Sequence, residues 1–249
     1  MNKELKTIKT DADTAVLFIH GILGTPRHFD FLMPIVPETW SVWSILLPGH
    51  GGSCSDFANS SMTQWKAYCE RAFLELCAGH SHVILAGHSM GTLLSVYLAR
   101  KYPERVQGIF ALGMPLHVHF TPAAMLGCMY TSFGSGKSNN PYLRSFREAG
   151  SVKLSKNPLA YLRWIPRYLE LFELCRETRA IMPQLQTPCI AIQSGKDELV
   201  SFRSIKCTGT AETIVLPDSR HFFYSERDRE TIIRRFDRFV HNIDTGYSG

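Results

Sequence analysis

Three residues of this chain have the side-chain types needed for nucleophilic acyl chemistry, and they occur in the order Ser89, Asp197, His221. A serine hydroxyl is a weak nucleophile near neutral pH, so it needs a base within hydrogen-bond reach and a carboxylate that orients the base. Ser89 stands in Gly87-His88-Ser89-Met90-Gly91, after the apolar run His82-Val83-Ile84-Leu85-Ala86 and before a helix-forming stretch, 92–102, that Pro103 stops. That succession predicts strand, tight turn, helix. A serine at such a turn is held at the tip of a sharp bend, with the first backbone amides of the helix directed at whatever it attacks. Glycine two residues to either side suits the crowding, because a Cβ at 87 or 91 would press on the neighbouring strand or helix.

The partners come late. Asp197 follows the apolar run 189–193 in Ser194-Gly195-Lys196-Asp197-Glu198, and His221 follows 213–216 in Pro217-Asp218-Ser219-Arg220-His221. Both therefore belong to loops at the carboxyl ends of strands, where ligands and catalytic groups gather in open α/β sheets. Asp218 and Glu198 are the weaker candidates for the acid: Asp218 lies three residues before His221, too close to swing onto its ring, and Glu198 is adjacent to Asp197 and chemically able. His20 and His50 are expected to brace their loops, and His88 to point into the packed flank of the turn. His117 and His119 sit two apart without the further ligands a metal needs. Gly134-Ser135-Gly136-Lys137-Ser138 evokes a phosphate loop, but Thr131 stands where its first glycine is required and no strand precedes it.

The elements that must position these residues are legible as apolar, β-branched runs at 14–19, 41–47, 82–86, 106–112, 189–193 and 213–216. Most run on without alternation, as strands buried on both faces of a parallel sheet do. Helical patterns fall between them. The clearest, 62–77, carries Trp65, Cys69, Ala72, Phe73 and Leu76 as one stripe behind a capping box of Ser61 and Gln64. A second, near the end, carries Ile232, Ile233, Phe236, Phe239 and Val240. The class is α/β with a mostly parallel central sheet flanked by helices. One stretch, 115–183, lacks a strand pattern and reads as an inserted helical cap on a core formed by 1–114 and 184–249. Its aromatics, Phe120, Tyr130, Phe133, Tyr142, Phe146, Trp164 and Phe172 among them, serve equally for helix packing or for lining a lipophilic pocket.

Composition narrows the class. The chain has 249 residues, 45% of them apolar, with a net charge of +5 that is dispersed along its length. Its densest arginine cluster, 227–238, is interleaved with acids and reads as a solvated helix face, so no nucleic-acid partner is expected. The seven cysteines are an odd number without a CxxC pair, which points to reduced thiols in a cytoplasm. The polar amino terminus and the absence of an apolar run near 20 residues predict neither a signal peptide nor an integral membrane segment.

The order Ser, Asp, His, the Gly-His-Ser-Met-Gly turn, His20-Gly21-Ile22-Leu23-Gly24, Leu47-Pro48-Gly49-His50-Gly51 and Gly195-Lys196-Asp197 together resemble the α/β-hydrolase family over almost the whole chain. By size and cap the chain resembles its carboxylesterases and monoacylglycerol lipases. Arg220 departs from the pattern, where a glycine commonly precedes the histidine. The resemblance implies an ester hydrolase without a cofactor, with Ser89 as nucleophile, His221 as general base and Asp197 as its carboxylate. It also implies an oxyanion hole from the backbone amides of Ile22 and Met90, and a small-molecule ester as substrate. The aromatic cap and the lack of a strongly charged pocket signal point to a lipophilic acyl group on that ester. Thioesterase, amidase, perhydrolase or lyase chemistry on the same residues, and a non-catalytic ligand-binding scaffold, are the alternatives.

Overall fold

The computed structural model describes residues 3–119, 121–122 and 139–244. One seven-stranded sheet contains β1 (Leu5–Thr7), β2 (Thr14–Ile19), β3 (Ser41–Ile45), β4 (His82–His88), β5 (Val106–Leu112), β6 (Cys189–Ser194) and β7 (Glu212–Leu216). Its order is β1-β3-β2-β4-β5-β6-β7, with β1 antiparallel to β3 and the other pairings parallel. Every residue of β2 is buried, as is every residue of β4 after His82, which explains why these runs show no alternation. β1 is an addition to the expected strands. Its three residues are exposed and carry no pattern; the neighbouring Glu4 ties this end down by accepting hydrogen bonds from Trp43 Nε1 (3.1 Å) and Leu46 N (3.0 Å).

Helices cover both faces: α1 (Cys54–Ala58), α2 (Met62–Gly79), α3 (Met90–Lys101), α4 (Pro141–Glu148), α5 (Ile165–Ile181) and α6 (Glu226–Asp244). α2 buries the whole expected stripe. At its start Ser61 accepts from Gln64 N, but the reciprocal pair is found one helix earlier, between Ser53 and Asp56 at α1. The α2 terminus has a different second partner, because Glu170 of α5 accepts the Met62 amide at 2.9 Å. On the opposite face α6 buries Ile232, Phe236 and Val240, and the Phe236 ring lies 5.0 Å from Phe110 and 6.0 Å from Phe18.

Between β5 and β6 the described residues form α4, a 3-10 segment (Pro158–Trp164) and α5, with isolated bridges Ser53–Lys153 and Val118–Val200. Trp164 fixes this insertion on α1: it is buried, its ring is 4.7 Å from Phe57, and Nε1 donates to Cys54 O at 2.9 Å. Phe120, Tyr130, Phe133 and the glycine-rich stretch 134–138 lie outside the described residues. The sheet reverses direction of growth at β2, since β3 lies on one side of it and β4 on the other. The crevice at the carboxyl ends of β2 and β4 is therefore the topological switch point, the place where such sheets receive ligands.

Candidate active site

Ser89 occupies the turn between β4 and α3 with φ 51° and ψ −124°. Among the described residues, Leu23, with φ 57°, is the other non-glycine residue at positive φ. Such backbone costs about 1–3 kcal/mol per residue and persists where the surroundings over-determine it. Here they do. Ser89 N donates to Leu112 O at 2.9 Å, and Ser89 O accepts both Thr92 N (2.9 Å) and Thr92 Oγ1 (2.7 Å). The flanking glycines are dictated by contact: a Cβ on Gly91 would stand 1.8 Å from Ile19 O, and one on Gly87 2.6 Å from Thr92 N. The Ser89 hydroxyl does not cap its own helix, so it is uncommitted to local structure.

Asp197 and His221 are brought into direct contact, with His221 Nδ1 donating to Asp197 Oδ2 at 2.9 Å. Both side chains are only 2% exposed. The carboxylate is fixed from every side: Oδ1 accepts Leu199 N (2.9 Å) and Val200 N (2.8 Å), and Oδ2 also accepts Gln193 Nε2 (3.2 Å). With Nδ1 protonated toward the carboxylate, Nε2 carries the lone pair. Burial pulls the His221 imidazole down, but the Asp197 charge and hydrogen bond outweigh it, aided by Glu198, and hold it above its ordinary value. Gly113, which follows the Leu112 carbonyl that anchors Ser89, sits against this pair; a Cβ there would lie 3.4 Å from His221 Cε1 and 3.8 Å from Asp197 Oδ2. Among the described residues no hydrogen bond joins Ser89 Oγ to His221; in unliganded sites such bonds often tighten only when substrate is present.

The loop after β2 reaches the same place. A Cβ on Gly21 would come within 2.8 Å of Ser89 Cβ, so this glycine admits the serine. His20 donates from Nδ1 to Gly21 O (2.8 Å) and accepts Leu47 N on Nε2 (3.0 Å); His50 accepts Leu23 N on Nε2 (3.0 Å) and donates from Nδ1 to Pro48 O (3.2 Å). Both rings brace loops. Burial keeps His20 neutral, its pKa lowered to about 4, and pushes His50 well below its usual value. In this turn Leu23 N and Gly24 N are taken, the latter by Gly21 O, and the Ile22 amide has no protein acceptor among the described residues. Met90, the first residue of α3, has no carbonyl one turn back for its N–H.

The weaker acid candidates separate clearly. Asp218 points to solvent and pairs with Lys196 at 2.9 Å, which lowers its carboxyl. Glu198 is buried next to His221 and accepts its backbone N–H. Three supporting contacts escaped the sequence reading. His88 does more than fill the flank of the turn: Nε2 donates to His221 O at 3.1 Å, and its ring lies 3.7 Å from that of His28 and 4.8 Å from that of His221. His28 itself is held by Tyr224 at 3.2 Å. Gln193, a buried amide in an apolar strand, carried the one signal available in sequence. His119 Nε2 donates to Asp197 O at 3.1 Å, and His117 lies against Arg179 at 2.9 Å. Of the described aromatics in the insertion, Phe146 reaches the site, 5.0 Å from Phe222, which is 4.7 Å from His221. Phe172 instead lines an open cavity of about 490 Å³ with Leu116, Val118 and Arg179.

The sequence pattern of the alpha/beta hydrolase fold matches residues 14–130. A thermostable monoacylglycerol lipase of Bacillus sp. (strain H-257) is 26% identical over 233 residues, covering 88% of this chain and 87% of that protein. A pimeloyl-[acyl-carrier protein] methyl ester esterase of Neisseria meningitidis is 37% identical over 100 residues, so this chain spans only 36% of its length, and 40% of this chain is matched. Among solved structures, one from a study of the metagenome-derived lipolytic enzymes LipS and LipT superimposes with a TM-score of 0.75 at 22% identity, covering 97% of this chain and 98% of that one. At that identity the likeness speaks for the fold. With its mostly parallel sheet, its strained serine turn and these relatives, the chain has the α/β-hydrolase fold and resembles esterases and lipases.

Proposed function

We propose that the protein hydrolyses carboxylic esters through an acyl-enzyme on Ser89. The observation that carries this reading is the strained, uncommitted Ser89 at the same sheet edge as a buried Asp197–His221 pair with its Nε2 lone pair available. His221 takes the hydroxyl proton as Ser89 attacks the carbonyl, Asp197 holds the imidazole and stabilises it once charged, and the oxyanion is received by the amides of Ile22 and Met90. Each such amide contributes on the order of 10²- to 10³-fold in rate. His221 then protonates the leaving alcohol and activates the water that releases the acid. No cofactor takes part in this scheme.

Residues 115–183 act as a cap over the site, and the substrate is a small ester with a lipophilic acyl group; the apolar wall at Phe146 and Phe222 supports this. The six described cysteines, all free, support a reducing, cytoplasmic setting. Labelling with a fluorophosphonate tests the mechanism: wild type should be labelled, and Ser89→Ala should lose both labelling and turnover while melting at the wild-type temperature. Label retained by the Ser89→Ala protein refutes it. A panel of nitrophenyl esters from acetyl to palmitoyl tests the substrate class, and activity confined to the acetyl ester rejects the lipophilic acyl group.

A further inference from the structure

Glu198 is a buried acid with half of its carboxyl group unaccounted for. The residue is 2% exposed; Oε2 accepts the backbone N–H of His221 at 3.4 Å, while Oε1 is buried with no hydrogen-bond partner among the described residues. Its main chain is also engaged, since Glu198 O accepts both Thr121 Oγ1 (3.1 Å) and Thr121 N (3.4 Å). A buried carboxylate with an unsatisfied oxygen is costly, and a residue chosen only to accept one amide need not be ionisable. Gln or Asn supplies the same acceptor without the charge. What glutamate adds at this place is negative charge beside an imidazole that must become positive in each turnover.

We propose that Glu198 is a positioning residue for His221, holding its backbone amide and placing a second negative charge, beside that of Asp197, to support the imidazolium. This rests on the reading of His221 as the general base. The two carboxyl groups divide the work. Asp197 addresses the ring through Nδ1, and Glu198 addresses the loop through the main chain and the ring through its field. Other groups around the pair leave it little competition. His119 is turned to the Asp197 carbonyl, His88 to the His221 carbonyl with neutral His28 stacked on it, Lys196 is drawn off by Asp218, and Arg220 lies over the Tyr142 ring. Burial raises the Glu198 carboxyl and the Asp197 charge adds to this, while His221 pulls it back down, so acid and base stabilise each other's charged forms.

Two variants separate charge from geometry. Glu198→Gln keeps an acceptor for His221 N and removes the charge, so the imidazolium loses support and His221 titrates lower. The acidic limb of the kcat/KM profile should move to lower pH by about half a unit to one unit, with the plateau kcat within about threefold of wild type and KM unchanged. Glu198→Ala removes both features and should lower plateau kcat about 10-fold or more with little change in KM, since a buried amide is left without an acceptor. The His221 Cε1–H resonance, followed against pH by NMR in the same proteins, reads the shift without turnover. A limb and a His221 titration in Glu198→Gln that coincide with wild type overturn the proposal, as does an equal loss of kcat in both variants at every pH. Should Glu198→Gln fail to fold, Glu198→Asp retains the charge, and a shift of its limb like that expected for Gln overturns the proposal. Failure of the general-base reading looks different: His221→Ala then keeps its fluorophosphonate labelling whatever Glu198 does.

Discussion

Lowering the pH from 7 to 5 should cost this protein several kcal/mol of stability, through histidines that the fold keeps neutral. Burial lowers His20 to about 4 and His28 to about 3, both from an ordinary 6.5, and also sets His50 and His88 well below it. Above pH 6.5 the unfolded and folded rings are both neutral. Below it the unfolded chain binds protons that the folded chain refuses, so the stability these rings contribute is lost as pH falls. Each ring is worth about 1.4 kcal/mol per pH unit in that window, so at pH 5 His20 and His28 cost roughly 2 kcal/mol each, before His50 and His88 add their share in the same direction. His221 and Glu198, both raised, act the opposite way, gaining stability as pH falls, and offset part of the loss. Against a total of about 5–15 kcal/mol this brings acid unfolding close to pH 5. Urea titrations at pH 7, 6, 5.5 and 5, read by near-ultraviolet circular dichroism, should give a falling ΔG with constant slope on denaturant. His28→Phe, which keeps a ring against His88, should flatten the dependence by about one proton, or about 1.4 kcal/mol per pH unit. A wild-type loss below about 1 kcal/mol between pH 7 and 5 refutes the reasoning.

Gly91→Ala places a Cβ 1.8 Å from Ile19 O, a backbone atom of a central strand; α3 must shift by more than an ångström, and thermal melting should show a loss of several kcal/mol together with loss of fluorophosphonate reactivity. A melting temperature within a degree of wild type rejects that account. Phe146→Ala removes a ring that stands 5.0 Å from Phe222 and is mostly buried; it should raise KM for long-chain nitrophenyl esters several-fold more than for the acetyl ester. An equal effect on both assigns Phe146 to packing alone.

The sequence was most readable where one local pattern decides one local structure. The runs at 14–19 and 106–112 are the strands β2 and β5 to the residue, because burial along nearly their whole length keeps them almost wholly apolar. The turn at Ser89 was legible because Gly87 and Gly91 answer to close contacts within one strand-turn-helix unit. Asp197 could be preferred to Asp218 on chain geometry, and the structure shows why: Asp218 is turned outward to Lys196. What escaped depends on tertiary contact. β1 forms because Glu4 finds Trp43 and Leu46, and nothing in Leu5-Lys6-Thr7 announces that. The capping box expected at Ser61 is only half made, and the next amide, Met62 N, is taken instead by Glu170, 108 residues further along the chain. His88, His28 and Glu198 support His221 across separations that no spacing rule encodes.

The two strained non-glycine residues among those described, Ser89 and Leu23, also explain why neutral histidines should surround the proposed acyl-transfer site. Leu23 keeps its positive φ because its N–H is accepted by His50 Nε2 and its carbonyl is held by Ser151 N at 2.8 Å. Protonating His50 turns that acceptor into a donor and sets two N–H groups against each other. The same event at His20 removes the acceptor for Leu47 N. Either change frees the turn that carries the Ile22 amide, at the cost of the donor proposed to receive the oxyanion. Acid should therefore silence the enzyme in two ways. One is protonation of His221, which is reversible and leaves near-ultraviolet dichroism untouched. The other is release of the Leu23 turn, which accompanies loss of that dichroism at lower pH. Rates of fluorophosphonate labelling measured beside the dichroism across pH 7 to 4.5 should show the first step preceding the second. If labelling falls only in parallel with the dichroism, His221 is not the group that limits reactivity in acid, and the neutral braces carry the whole dependence.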